Sequence, residues 1–257
     1  MIINKVIEVA STYLDDRTVK DLVIGLSLIG VELDNGQIGL AYMSRENLPP
    51  GCSVFHFAQE IIGKDAKEVA QLAINGTDDA QRGVGMAVLS AASQGQNLVD
   101  VENPSTSFGI EVLTTDTVAM IGHIAPIANM IREKVERLII FDSGISQKGQ
   151  VVKDVYDMKD QAELLPQCDL VFITGTSITN GTIDRLLEMC SNARDIVIVG
   201  ASTPMFPEAF KDTNVTILAG SWWDNQWKED LLKIISLAGG IKHVRPAMIK
   251  KAVKVEK

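Results

Sequence analysis

The chain has 257 residues, 46% of them hydrophobic, with a formal net charge of -9, a length that suits one large or two medium domains with buried cores. The acidic balance argues against nucleic acid as a partner, because binding a phosphate backbone needs a clustered positive face to displace counterions. No run approaches the roughly 18 consecutive apolar residues of a membrane helix and the N-terminus shows no cleavage site, so the expectation is a cytoplasmic protein with no membrane partner.

From residue 2 to about residue 16, apolar side chains recur at helical spacing. Residues 22–33 and 38–43 read as the two strands of a hairpin around Asp34-Asn35-Gly36, since Asn-Gly supplies the positive backbone angles that a tight turn requires. Helices over 65–74 and 78–93 follow, each opened by acidic residues that suit the positive end of a helix dipole. Residues 1–105 therefore read as an α+β domain. After the turn signal at 103–106 the rhythm changes: strands at 118–124, 137–142, 170–174, 196–200 and 215–219 alternate with helices at 126–134, 181–190 and 225–238. Short continuous apolar strands separated by helices imply a parallel sheet covered on both faces, an α/β domain over residues 106–257. The basic tail from Lys250 to Lys257 reads as a solvated, frayed chain end.

Ligands in such sheets sit beyond the carboxyl ends of the strands. The residues expected there are Gly122 and His123; Asp142 and Ser143; Thr174, Gly175 and Thr176 with Asn180 and Thr182; Gly200, Ser202, Thr203 and Pro204; and Ser221 with Trp222. Glycines in these loops let backbone approach a ligand, and helix starts behind them present unpaired N–H groups. Each Ser, Thr or Asn taken singly reads as a cap or turn former; together on one rim they read as a binding site. Tyr42, Ser44 and Arg45, after the hairpin, are the expected contribution of the first domain.

His123, with a near-neutral unperturbed pKa, is the candidate ligand or proton carrier. Asp142 would orient it or take a metal, the alternatives being a helix cap for His123 and a turn partner for Asp142. The turn at 122–126 carries one glycine where the dinucleotide fingerprint has three, which argues against NAD or FAD, and 175–182 lacks the lysine of a phosphate loop of the Walker type. Cys52 and His56, spaced C-x3-H, could share one face of a helix or strand, but structural zinc wants about four ligands. Cys168 and Cys190 read as a strand edge and a helix end, and an odd, scattered set of cysteines fits free thiols. The three tryptophans at 222–227 read as core or interface packing, with Trp222 also a possible apolar wall for a planar ligand.

The runs VAMIGHIAP (118–126), CDLVFITGTSITNGTIDRLLE (168–188) and IVIVGASTPMFP (196–207) resemble the heavy-metal chelation family of uncharacterised prokaryotic proteins, most specifically over 173–187. The resemblance implies an enolase N-terminal-like α+β domain, a Rossmann-like α/β domain, a site at their junction and a divalent or heavy metal ion as cofactor or cargo. Gly200-Ala201 stands where the family commonly has Gly-Pro, and Ser90 where an asparagine is expected. Enolase chemistry does not follow, because the barrel that would carry it is absent. The leading reading is a cleft between domains that binds a small anionic or metal-chelating molecule or a metal complex, with His123 and Asp142 as reactive or coordinating groups. One alternative is an enzyme acting on a nucleotide- or pterin-like metabolite at the same rim. The other is a noncatalytic homo-oligomeric module with the tryptophans at its interface.

Overall fold

The computed structural model describes residues 1–102, 108–146 and 153–257; the turn expected at 103–106 lies outside them. The chain opens with helix α1 (Ile2–Ala10), whose Ile2, Ile3, Val6, Ile7 and Ala10 are buried because that spacing forms a single apolar stripe. Strands β1 (Val19–Ile24), β2 (Leu28–Leu33) and β3 (Ile38–Tyr42) follow and form an antiparallel sheet in that order. The run at 22–33 is thus two strands rather than one. The chain turns at residues 25–27, where Leu26 is 61% exposed although its apolar neighbours make the stretch read as continuous.

Helices α2 (Ala66–Ala70) and α3 (Leu72–Asn75) replace the expected single helix and lead to α4 (Asp79–Ser93). The Asp78 carboxylate caps α4 by accepting the Gln81 N–H at 3.0 Å, an N-terminal donor that would otherwise be unpaired. Nearly every residue of α4 is buried, and small residues let it lie directly on the sheet. A Cβ added at Gly39 of β3 would sit 2.0 Å from the Ala87 carbonyl oxygen and 2.2 Å from the Ala91 nitrogen.

The second half builds a seven-stranded sheet of β4 (Thr117–Ile121), β5 (Arg137–Phe141), β6 (Val155–Tyr156), β7 (Leu170–Thr174), β8 (Asp195–Val199), β9 (Ile217–Trp223) and β10 (Met248–Lys254). Its order is β10-β9-β8-β7-β4-β5-β6. Helices α5 (Ala125–Ile131), α6 (Ser143–Ser146), α7 (Gln161–Leu164), α8 (Thr176–Thr179), α9 (Ile183–Met189), α10 (Lys228–Ser236) and α11 (Ile241–Val244) fill the connections. All neighbouring pairs run parallel except β9 and β10, so the expected parallel sheet has an antiparallel edge.

That edge corrects two expectations. Lys250 to Lys254 of the basic tail belong to a full strand, paired from Met248 with Trp223 to Lys254 with Ile217. Lysine on an edge strand discourages pairing with another chain and hides the strand's apolar character. Trp222 and Trp223, and Ser221 with them, lie within β9 rather than beyond it. Trp223 is buried, while Lys251 lies 4.7 Å above the Trp222 ring.

Alternation along the central strands divides the cores. Val118 and Met120 of β4 pack with α5 on one face. Ala119 and Ile121 join a cluster on the other face that also contains α1, α4 and the antiparallel sheet, so the α+β and α/β domains share one continuous core. The buried carboxylate of Glu32 adds a polar tie, accepting from Lys20 at 2.9 Å and from Lys228, on α10, at 3.3 Å. Among the described residues no helix is long and apolar enough to cross a membrane.

Candidate functional site

Where the antiparallel domain meets the carboxyl ends of β4, β5 and β7, the chain leaves a cleft of about 910 Å³, within the range of small-molecule sites. Gly122, His123, Asp142, Ser143, Thr174, Thr176, Asn180 and Thr182 line it, and Tyr42 and Ser44 line it from the other domain. Charged or soft side chains that strand-end reasoning passed over also face it: Glu46, Met158, Lys159, Arg185 and Met189.

Backbone geometry explains the rim. Gly122 has φ +83°, a left-handed conformation favouring glycine, and a Cβ there would meet the Thr174 side chain at 3.1 Å. The chain can therefore turn out of β4 close against β7. Asp142, at the end of β5, accepts the His123 backbone N–H at 2.8 Å and the Ile145 N–H at 3.0 Å. It laces two strand ends together and caps α6, so its tie to His123 runs through the backbone rather than the ring. The His123 imidazole, half-buried, has no hydrogen-bond partner among the described residues.

The polar loop after β7 is braced internally. Ser177 Oγ donates to the Thr174 carbonyl at 2.7 Å, Thr174 Oγ1 to Thr176 Oγ1 at 3.2 Å, and Thr182 Oγ1 to Asn180 Oδ1 at 2.8 Å. These are the turn and cap bonds that short polar side chains make, and they hold the Asn180 and Thr182 side chains at the cleft. On the opposite wall, Asp79 pins the segment that follows β3: its Oδ2 accepts the Asn47 N–H at 2.8 Å and its own N–H donates to the Asn47 carbonyl at 3.0 Å. That segment carries Ser44 and Glu46. Ser143 Oγ donates to Glu46 Oε1 at 3.4 Å, a bridge across the cleft.

The loop after β8 has a different place. Gly200, Ser202, Thr203, Pro204, Gly175 and Trp222 are not among the residues lining the cleft. Ser202 Oγ accepts the Tyr42 N–H at 2.7 Å, so this loop props the strand that presents Tyr42. Gly175 lies against the same loop, where an added Cβ would be 2.6 Å from the Thr203 nitrogen. The Thr203 hydroxyl is buried without a partner among the described residues. Trp222 donates Nε1–H to Ser93 Oγ at 3.0 Å. Arg45, too, is not among the lining residues.

The donor set tests the fit of a metal. Among the described residues no three His, Cys, Asp or Glu side chains are grouped to hold an ion. Cys52 and His56 are exposed in the irregular stretch before α2, away from the cleft lining. Burial pushes the Cys168 thiol up to about 11 and the Cys190 thiol up to about 12, which keeps both protonated, whereas the thiolate is the ligand that soft metals take. The cleft offers one imidazole, two carboxylates already accepting hydrogen bonds, hydroxyls and the neutral thioethers of Met158 and Met189, with no anionic sulfur and no grouped set of three among its His, Cys, Asp and Glu donors. These residues do not fit a bare heavy-metal ion.

Residues 106–254 match a family model described as "Putative heavy-metal chelation", and residues 7–93 match a second model with the same description. An uncharacterized protein of Methanocaldococcus jannaschii is 29% identical over 165 residues, 62% of this chain; the match spans 61% of that relative's length. The fold is similar to that of a protein of unknown function from Pyrococcus horikoshii, with a TM-score of 0.80 and 24% identity over 99% of this chain and 100% of that one. A second protein of unknown function, from Desulfitobacterium hafniense, gives 0.75 and 22% over 98% of each chain. At these identities the likeness shows the fold alone.

Proposed function

The chain belongs to the family described as "Putative heavy-metal chelation", and from that membership we propose that the cleft binds a small anionic, metal-chelating molecule whose metal arrives already complexed. The observation that carries this reading is the mismatch between the family's description and the cleft's side chains. The space of about 910 Å³ is large enough for a metabolite, while among the described residues no three His, Cys, Asp or Glu donors are grouped to strip and hold a bare ion.

In this reading the ligand supplies most of the coordination sphere and the cleft recognises its outside. Thr176, Asn180 and Thr182 lie on one side and Tyr42 and Ser44 on the other, so a bound molecule touches both domains. His123 is the side chain that can meet the metal or take a proton from the ligand. Asp142 fixes the point from which that ring projects.

Titration calorimetry of the purified protein with nickel(II) citrate, citrate alone and nickel(II) alone tests this. The complex is expected to bind at least about tenfold tighter than the bare ion, and His123→Ala to weaken it by a similar factor. Bare metal binding as tightly as its complex, or a His123→Ala variant binding the complex like the parent, would refute it.

A further inference from the structure

We infer that Arg185 is the docking point for the anionic end of the cleft's ligand, a carboxylate or phosphate group; the inference rests on the reading above and adds the end by which the ligand is held. Arg185 stands on α9, whose Ile183, Leu186 and Leu187 turn into the core. The neighbouring Asp184 is occupied elsewhere, accepting the Ile2 N–H at 2.9 Å. Arg185 lines the cleft with Asn180 and Thr182 from the preceding loop.

The charges around the cleft single it out. Asp142 spends both oxygens on backbone N–H groups, Glu46 accepts from Ser143, and Lys159 pairs with Asp157 at 3.2 Å. The Arg185 side chain has no hydrogen bond or ion pair among the described residues. Other arginines are engaged for structural ends: Arg132 by Asp154 at 2.7 Å, Arg194 by Asp116 at 3.0 Å, and Arg137 by the Tyr156 hydroxyl at 3.2 Å.

On a chain with a net charge of -9 an anion is repelled at long range, so an unpaired guanidinium on a residue lining a large cleft supplies the local attraction. Its planar fork offers two parallel N–H donors to a carboxylate or a phosphate. Asn180 adds its side-chain NH2 group, because its Oδ1 is turned to Thr182.

The probes are citrate and inorganic pyrophosphate, titrated into the parent, Arg185→Gln and Arg185→Lys at two ionic strengths. The parent is expected to bind at least one, and whichever binds tighter identifies a carboxylate or a phosphate as the preferred group. Arg185→Gln should bind about ten- to hundredfold more weakly and with a shallower salt dependence, the scale of a charge-assisted hydrogen bond. Arg185→Lys should recover part of the loss. Unchanged melting temperatures in both variants would tie the loss to recognition, since the Arg185 side chain has no partner among the described residues. Equal affinity of parent and Arg185→Gln would overturn this inference and leave the cleft reading standing. A parent that binds neither probe would overturn both.

Discussion

Replacing Gly175 by alanine tests the contact between the two strand-end loops. The methyl group would lie 2.6 Å from the Thr203 nitrogen and 2.8 Å from the Ser202 carbonyl carbon, where ordinary van der Waals contact begins at 3.4 Å. Both obstacles are backbone, so no side chain can rotate away and one loop must retreat by about 0.8 Å, a strain of the kind that overpacking imposes. The β8 loop resists, because Ser202 Oγ is holding the Tyr42 N–H at 2.7 Å.

Overpacking costs about 1–3 kcal/mol, and losing the Tyr42 bond adds about 1 kcal/mol. At roughly 2–4 °C per kcal/mol for a chain of this size, the melting temperature should fall by about 4–16 °C. Differential scanning calorimetry reads the fall, and hydrogen exchange at the Tyr42 amide reports whether the β8 loop has moved. Gly181→Ala is the control: φ is +74° with nothing within 4 Å, so only backbone strain of about 1–2 kcal/mol applies and Tyr42 should stay protected. A Gly175→Ala protein that melts within about 1 °C of the parent, its Tyr42 amide equally slow, would refute the reasoning.

Two further outcomes concern groups outside the cleft. The Arg194 guanidinium, with help from the Leu113 N–H, holds the buried Asp116 carboxyl below its usual 3.8; a depressed value stabilises the fold above the unfolded pKa and the benefit is lost as pH falls through the folded one. Urea unfolding should therefore find Asp116→Asn less stable than the parent by about 1–2 kcal/mol at pH 7, at the low end for a charged hydrogen bond because Arg194 is half-exposed. The gap should shrink in acid; one equally wide well below pH 3.8 would exclude Asp116 as its source. For the thiols, a thiol-reactive reagent should label Cys52 quickly in the native protein and reach Cys168 and Cys190, both buried, only after unfolding. Fast labelling of two or three thiols would contradict their placement.

The central strands were legible because parallel strands buried on both faces leave an uninterrupted apolar run, as in LIIF at 138–141 and IVIV at 196–199. The split between β1 and β2 was not, since the exposed Leu26 has the same composition as a core position. β10 was hidden for the opposite reason: Lys250, Lys251 and Lys254 look like a solvated tail, and only the pairing with β9 shows why lysine belongs at a sheet edge. At the cleft, the strand-end rule located Gly122, Asp142 and Thr174 from periodicity alone. It could not separate the β7 loop, which faces the open space, from the β8 loop, which faces the other domain. Glu46, Lys159 and Arg185 were passed over because an isolated charge in a polar stretch carries no sign of whether it meets bulk water or a cavity.

The docking of α1 has a consequence for how the chain is made. Its apolar stripe shares a core with Phe206, Ala209 and Phe210, Tyr13 packs on Phe206 at 5.9 Å between ring centroids, and Lys5 pairs with Asp212 at 2.7 Å. Helix α1 thus has its resting place on residues synthesised some two hundred positions later. During synthesis the antiparallel sheet must wait with one apolar flank uncovered, a state in which partly folded chains are prone to aggregate.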